Sequence, residues 1–144
     1  MRISTKGRYG LRAMVELARH FGQGPLDMRS ITERQKIPRK YLHSLLTSLR
    51  AAGLLRSLRG SRGGYVLSRP PAEITARDVV VALEGPLLLV DCSERGPRCE
   101  LFESCTTRAL WRDLSRAIEE RLTAVTLEQL AREKRPARAG RGAS

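Results

Sequence analysis

Between Asp27 and Gly53, two stretches of helical periodicity are divided by Ile37 and Pro38, and that division decides the local architecture. Met28 and Ile31 give the first stretch an inward side, and Leu42, Leu45, Leu46 and Leu49 give the second a buried stripe. A proline inside a helix removes a hydrogen bond and clashes with the preceding turn, yet at the first helical position it is tolerated. Ile37 and Pro38 therefore open a new helix. Asp27 is placed to cap the first helix, which runs through about Lys36, and Gly53 is placed to end the second. Two helices in tight connection, the second amphipathic, form a helix-turn-helix pattern.

The flanks extend that pattern. Leu11, Met14, Val15, Ala18 and Phe21 follow helical spacing, which predicts a first helix from about Thr5 to His20, ended by Gly22, Gly24 and Pro25. Downstream, the run Leu54–Leu58, the segment Arg59–Gly64 and the run Tyr65–Leu67 read as a hairpin whose glycine-rich tip carries Arg59 and Arg62. Beside a recognition helix such a hairpin is a wing, whose arginines reach phosphates or a narrow minor groove. The candidate DNA-contacting residues are Arg39, Lys40, Tyr41, His43, Ser44, Thr47 and Arg50 on the helix, with Arg59 and Arg62 on the wing.

Charge distribution points the same way. The chain has 144 residues and a formal net charge of +12, and the first 70 residues hold all of that excess, with 15 Lys and Arg against three acidic residues. The remaining 74 residues carry 12 of each sign. A basic first half on a neutral second half is the footprint of a nucleic-acid-binding domain. Double-stranded DNA is the expected partner, because aromatic residues make up only 4% of the chain and leave little for stacking single-stranded RNA bases. No run of about 18 apolar residues offers a membrane span, and no apolar run follows the basic start, so a cytoplasmic location is expected. His20 and His43 are the only histidines, and no nucleophile–base pair, phosphate-binding glycine loop or paired carboxylates stand out, so no enzyme is expected.

In the second half, Thr75 can cap a helix through about Glu84, with Val79, Val80 and Leu83 inward and Gly85-Pro86 breaking it. Leu110, Leu114, Ile118 and Leu122 then recur every four residues, flanked by Trp111 and Val125, and predict a helix from Thr106 to Ala124. A helix of that length on a small domain has surplus apolar surface, which two-fold pairing into a homodimer would bury. Thr126 starts a short last helix through about Glu133, and from Lys134 the chain reads as a disordered basic tail. The fold expected is mainly α: a winged helix-turn-helix with a small β-hairpin wing over residues 1–70, then a connecting helix, a cysteine loop (92–105) and a long dimerisation helix over 71–133, with the tail at 134–144.

All three cysteines, Cys92, Cys99 and Cys105, fall in that loop. An odd number argues against a disulfide framework and leaves free thiols or metal ligands. Structural zinc sites bring ligands in pairs two to four residues apart, so these wider gaps suit zinc poorly and leave an iron–sulfur cluster or another soft-metal site, or thiols that sense oxidation directly.

The stretches MRISTKGRYGLRAM, ITERQKIPRKYLHSLLTSLRAAGLL and RGSRGGY resemble the winged helix of the bacterial Rrf2 repressor family, which includes IscR, NsrR, RirA and CymR. The resemblance continues through EITARDVVVALEGP and ALWRDLS to TLEQL. It implies a dimeric regulator bound to an imperfect palindromic operator, with Cys92, Cys99 and Cys105 at positions where several members hold an iron–sulfur cluster, 2Fe-2S or 4Fe-4S. CymR-like members imply instead a cluster-free regulator using thiol oxidation or a protein or small-molecule effector. This chain departs from two known ways of completing a cluster. Where IscR-like members have a histidine three residues after the last cysteine it has Arg108, and where NsrR-like members have an aspartate near the amino terminus it has Arg8. Arginine stays protonated and is a poor ligand. Glu103, Glu100, Asp91, Ser104 and a small external molecule remain as candidates for a fourth ligand.

Overall fold

The computed structural model describes residues 2–61, 63–90 and 99–133; Arg62, Asp91, Cys92 and the expected basic tail lie outside them. Its elements run α1 (Thr5–Arg19), α2 (Met28–Gln35), α3 (Arg39–Ala51), β1 (Leu55–Leu58), β2 (Gly64–Leu67), a short 3-10 turn (Pro71–Glu73), α4 (Ala76–Glu84), α5 (Arg108–Thr123) and α6 (Leu127–Arg132). The expected mainly helical chain with a small antiparallel hairpin is the observed one.

Local chemistry explains the helix starts. Asp27, Thr75 and Thr126 each accept a bond from the third backbone N–H of the helix that follows, and at Thr75 and Thr126 the residue three positions on returns one. Pro38 differs slightly from expectation. It is the cap residue before α3, with ψ 134°, and the helix begins at Arg39. A residue preceding proline is driven out of the helical region, and Ile37, almost fully buried, spends that extended position on the core.

One core joins residues on both sides of position 70. Met14, Ile31, Leu42, Leu46 and Leu49 from the first three helices pack with Val79 of α4 and Leu127 of α6. The start of α6 is held against the start of α4 because Leu127 N donates to Ile74 O at 2.9 Å and Ala76 N donates to Val125 O at 2.8 Å. α1 and α4 approach closely at Gly10, where an added Cβ would lie 2.0 Å from the Leu83 side chain. Phe21, placed on the α1 stripe by its spacing, is instead 46% exposed, because α1 ends at Arg19 and the chain has turned away.

The hairpin pairs Leu55 with Leu67 and Leu58 with Gly64. Leu26 extends it by two bonds with Tyr65, of 3.0 and 2.9 Å, which anchor β2 to the segment before α2. That crossing is why Gly64 is glycine: a Cβ there would stand 2.6 Å from the Leu26 carbonyl oxygen.

α5 stands apart. Ser115 is its single buried residue, while Leu110, Trp111 and Leu114 are 52%, 36% and 41% exposed. It is tied to the rest by Arg77 Nε, 2.6 Å from Glu119 Oε1, and by Leu89 N donating to Ser115 Oγ at 3.3 Å. The apolar stripe read from the sequence is real, but the outer part of it faces away from this chain's own core.

Candidate nucleic-acid interface and cysteine loop

The face of α3 opposite the leucines carries Arg39, Lys40, His43, Ser44, Thr47 and Arg50, all exposed. Cationic side chains at the helix start suit phosphates and guanine, while short hydroxyl side chains suit base edges at close range. Thr47 Oγ1 donates to His43 O at 2.8 Å, so its hydroxyl proton is held by its own helix. Tyr41 sits differently. It is half-buried, with its ring edge-on to Tyr9 of α1 at 5.6 Å and an interplanar angle of 85°.

Helix and wing are one surface through Arg50, whose Nη1 donates to Ser57 Oγ on β1 at 3.1 Å. Arg59 is exposed at the tip, and Arg62 lies outside the described residues. Behind this surface, α2 ends at Gln35 and the connection turns through Lys36 with φ 54°. Arg12 of α1 reaches Gln35 there, a link that no apolar periodicity signals because both residues are polar and 23 positions apart.

In the segment before α5, Cys99 is exposed and Cys105 half-buried, and Cys92 lies outside the described residues. Among the described residues no three His, Cys, Asp or Glu converge as a metal site would require. Glu100, Glu103 and Ser104 are exposed. Cys105 sits at the amino end of α5, with Sγ 3.4 Å from Thr107 Oγ1. The Thr107 hydroxyl, then the backbone N–H groups of Thr107 and Arg108, hold its thiol below the ordinary value of 9.0; desolvation opposes this and the Arg108 charge assists it. Thr107 is thereby drawn from capping, and α5 starts at Arg108, two residues later than its periodicity predicts.

Arg108 stacks its guanidinium 4.0 Å from the centre of the Phe102 ring, with Nη1 buried and unpartnered among the described residues. A thiolate-favouring cysteine beside an unsatisfied cationic N–H suits an anionic group in the loop. Arg8 is exposed on α1, its Nη2 3.5 Å from Thr5 Oγ1.

Residues 3–133 match the Rrf2 family, described as iron-dependent transcriptional regulators. The chain belongs to the Rrf2 family. It is 44% identical over 131 residues to the HTH-type transcriptional regulator CymR of Bacillus subtilis, covering 91% of this chain and 90% of CymR. The solved structure of that protein, the global cysteine regulator of B. subtilis, superposes with a TM-score of 0.77 over 91% of this chain and 96% of the other. IscR of Photorhabdus laumondii is 40% identical over 90% of this chain and 79% of IscR. Staphylococcus aureus CymR in an oxidized form is 38% identical with a TM-score of 0.75, over 94% of this chain and all of that one. These relatives are transcriptional regulators and not enzymes. Among the described residues no helix is long and apolar enough to cross a membrane.

Proposed function

We propose that this Rrf2 regulator acts in the bacterial cytoplasm as a homodimer on an imperfect palindrome in double-stranded DNA, with one α3 in each of two major grooves about one helical turn apart. The carrying observation is the polar surface shared by α3 and the wing, joined by Arg50 and Ser57. Lys40, His43, Ser44 and Thr47 read base edges, Arg39 and Arg50 contact phosphates or guanine, Tyr41 fixes the helix start, and Arg59 with Arg62 reaches the flanking groove. The exposed Leu110, Trp111 and Leu114 supply the pairing surface.

In the same reading Cys92, Cys99 and Cys105 hold an iron–sulfur cluster, 2Fe-2S or 4Fe-4S, which supplies iron chemistry sensitive to oxygen and nitric oxide. Support comes from the iron dependence that describes the family and from the lowered thiol pKa of Cys105, since iron binds the thiolate. The chain's own part is mechanical. Cys105 directly precedes α5, so a change in its ligation reaches the pairing helix and alters the distance between the two wings.

A second reading is a cluster-free regulator in which the thiols respond to oxidation or the protein answers an effector. It is favoured by Cys105, whose thiolate is stabilised without any metal, and by the likeness to CymR, of which an oxidized form exists. Gel shifts with duplex DNA against single-stranded RNA test the DNA reading, which a preference for RNA would defeat. A visible absorption spectrum of anaerobically purified protein, with iron and sulfide analysis, separates the two sensing readings: brown protein containing both elements selects the cluster, and colourless protein whose DNA affinity changes on mild oxidation selects the thiols.

A further inference from the structure

The turn between α2 and α3 has a backbone conformation that its own residue does not favour. Lys36 is the one non-glycine residue with positive φ among the described residues, at φ 54° and ψ 44°. Helices commonly end in this left-handed conformation, but on glycine or asparagine. The residue before that lysine, Gln35, is held from outside the helix.

The side chain that reaches the turn is Arg12 of α1. Its Nη2 donates to the Gln35 carbonyl, one of the last-turn oxygens without a partner inside the helix, and its Nε donates to Gln35 Oε1 at 3.0 Å. The other end of that amide donates from Nε2 to Glu16 Oε1 at 2.5 Å. Glu16 is only 2% exposed and also pairs with Arg19 at 3.3 Å and Arg34 at 3.8 Å. Gln35, 9% exposed, is thus clamped between a cation and a carboxylate, an arrangement its amide satisfies in one orientation only.

The same guanidinium also reaches the start of α3. It lies 5.2 Å from the centre of the Tyr9 ring, and Tyr9 in turn meets Tyr41 in the first turn of α3. One side chain therefore touches the end of α2 directly and the beginning of α3 through a single ring.

We propose that Arg12 is the positioning residue for sequence reading: it fixes the angle at which α3 presents Lys40, His43, Ser44 and Thr47, without contacting a base. The proposal rests on α3 being the recognition helix. Lysine at position 12 keeps the charge but loses the two-pronged donor and the flat face that lies over Tyr9. A phosphate contact is the rival role for an arginine here, and the two roles differ in what they do to specificity.

The test uses a duplex selected from a random pool by the full-length wild-type protein, and a scrambled duplex of equal composition. Arg12→Lys should lose tenfold or more of the preference for the selected duplex, with affinity for the scrambled one and the slope against salt unchanged. Equal loss on both duplexes, with a slope lower by about one, would make Arg12 a phosphate contact and overturn the proposal. An unchanged preference would overturn it too. Amide hydrogen exchange of the free protein reads the same residue without DNA. Faster exchange confined to Lys36–Leu42, with α4 amides unaffected, is expected; no change, or uniform acceleration, counts against a positioning role. Tyr9→Leu, which removes the ring between Arg12 and Tyr41 and leaves the Arg12 bonds to Gln35, carries the same pair of measurements if Arg12→Lys does not fold. A selection that returns no preferred duplex fails the recognition-helix reading, and exchange then decides whether Arg12 holds the turn.

Discussion

Glu84 closes α4, and its carboxylate reaches back to the start of α1, where Oε1 accepts from Ser4 N at 2.9 Å and Gly7 N at 3.0 Å and also from the Ser4 hydroxyl. First-turn N–H groups have no partner within their helix, so this acidic residue caps a helix about 80 positions away in sequence. The bonds hold its carboxyl below the ordinary value of 4.5, the Ser4 hydroxyl contributing most, while desolvation pushes the other way. A carboxyl lowered by folding adds stability that is complete above its ordinary value and lost as pH falls through the folded one. Glu84→Gln should therefore cost about 1 to 2 kcal/mol at neutral pH. In urea titrations the gap from wild type should close as pH drops below 4.5, and a gap independent of pH would refute the capping role. Cys105 offers a second residue-scale test. Its lowered pKa means more thiolate at neutral pH, so the pH profile of Cys105 alkylation, read by mass spectrometry, should have its midpoint below the ordinary value of 9.0. Thr107→Val should slow Cys105 at neutral pH, since the Thr107 hydroxyl is the leading cause of the shift. Caps such as Asp27, Thr75 and Thr126 were legible because a cap acts on residues two or three positions on. Glu84 on α1, and Arg12 on Gln35, were not, because nothing local marks a polar side chain whose partner arrives from another helix.

At the scale of elements, periodicity read helix type and extent well and read helix surroundings less well. The span Ala76–Glu84 is as expected, and α5 is shorter than its apolar repeat by two residues at the start and one at the end. At the start, Thr107 stands at the cap position without a side-chain cap bond, its hydroxyl lying 3.4 Å from the Cys105 thiol instead. What spacing could not separate is burial within one chain from burial between two. Leu110 and Leu114 repeat like core leucines, and so do Ile118 and Leu122, yet only the second pair is half-buried. Leu114→Glu should accordingly leave the monomer folded, because the side chain lies 41% exposed, while placing a charge in the pairing surface. Sedimentation at micromolar concentration should give a dimer for wild type and a monomer for the variant with unchanged helical circular dichroism. A variant that stayed dimeric would move the interface off this face.

For the whole molecule, charge alone points to the first half as the part that meets DNA: 15 basic residues stand against three acidic ones before position 71, and equal numbers after. DNA binding through that half releases counterions, so the logarithm of affinity should fall linearly with the logarithm of salt, with a slope of about −0.9 per phosphate neutralised. Fluorescence anisotropy with a duplex of random sequence measures it, and a slope near zero would contradict an electrostatic interface. A long-range feature that composition and spacing missed is the return of Leu127 to Ile74, which puts α6 into the core of the basic first half. Such closure depends on partners some 50 positions apart. The weakly anchored α5 has a further consequence, for the way a cell sets the dose of this protein. In the proposed homodimer, pairing through a surface that the single chain leaves bare would make the active species a two-body product. At levels where single chains predominate, occupancy of a palindromic site rises with the square of the free chain, and halving synthesis cuts it about fourfold. The strength of that pairing thus sets the copy number below which regulation responds this steeply.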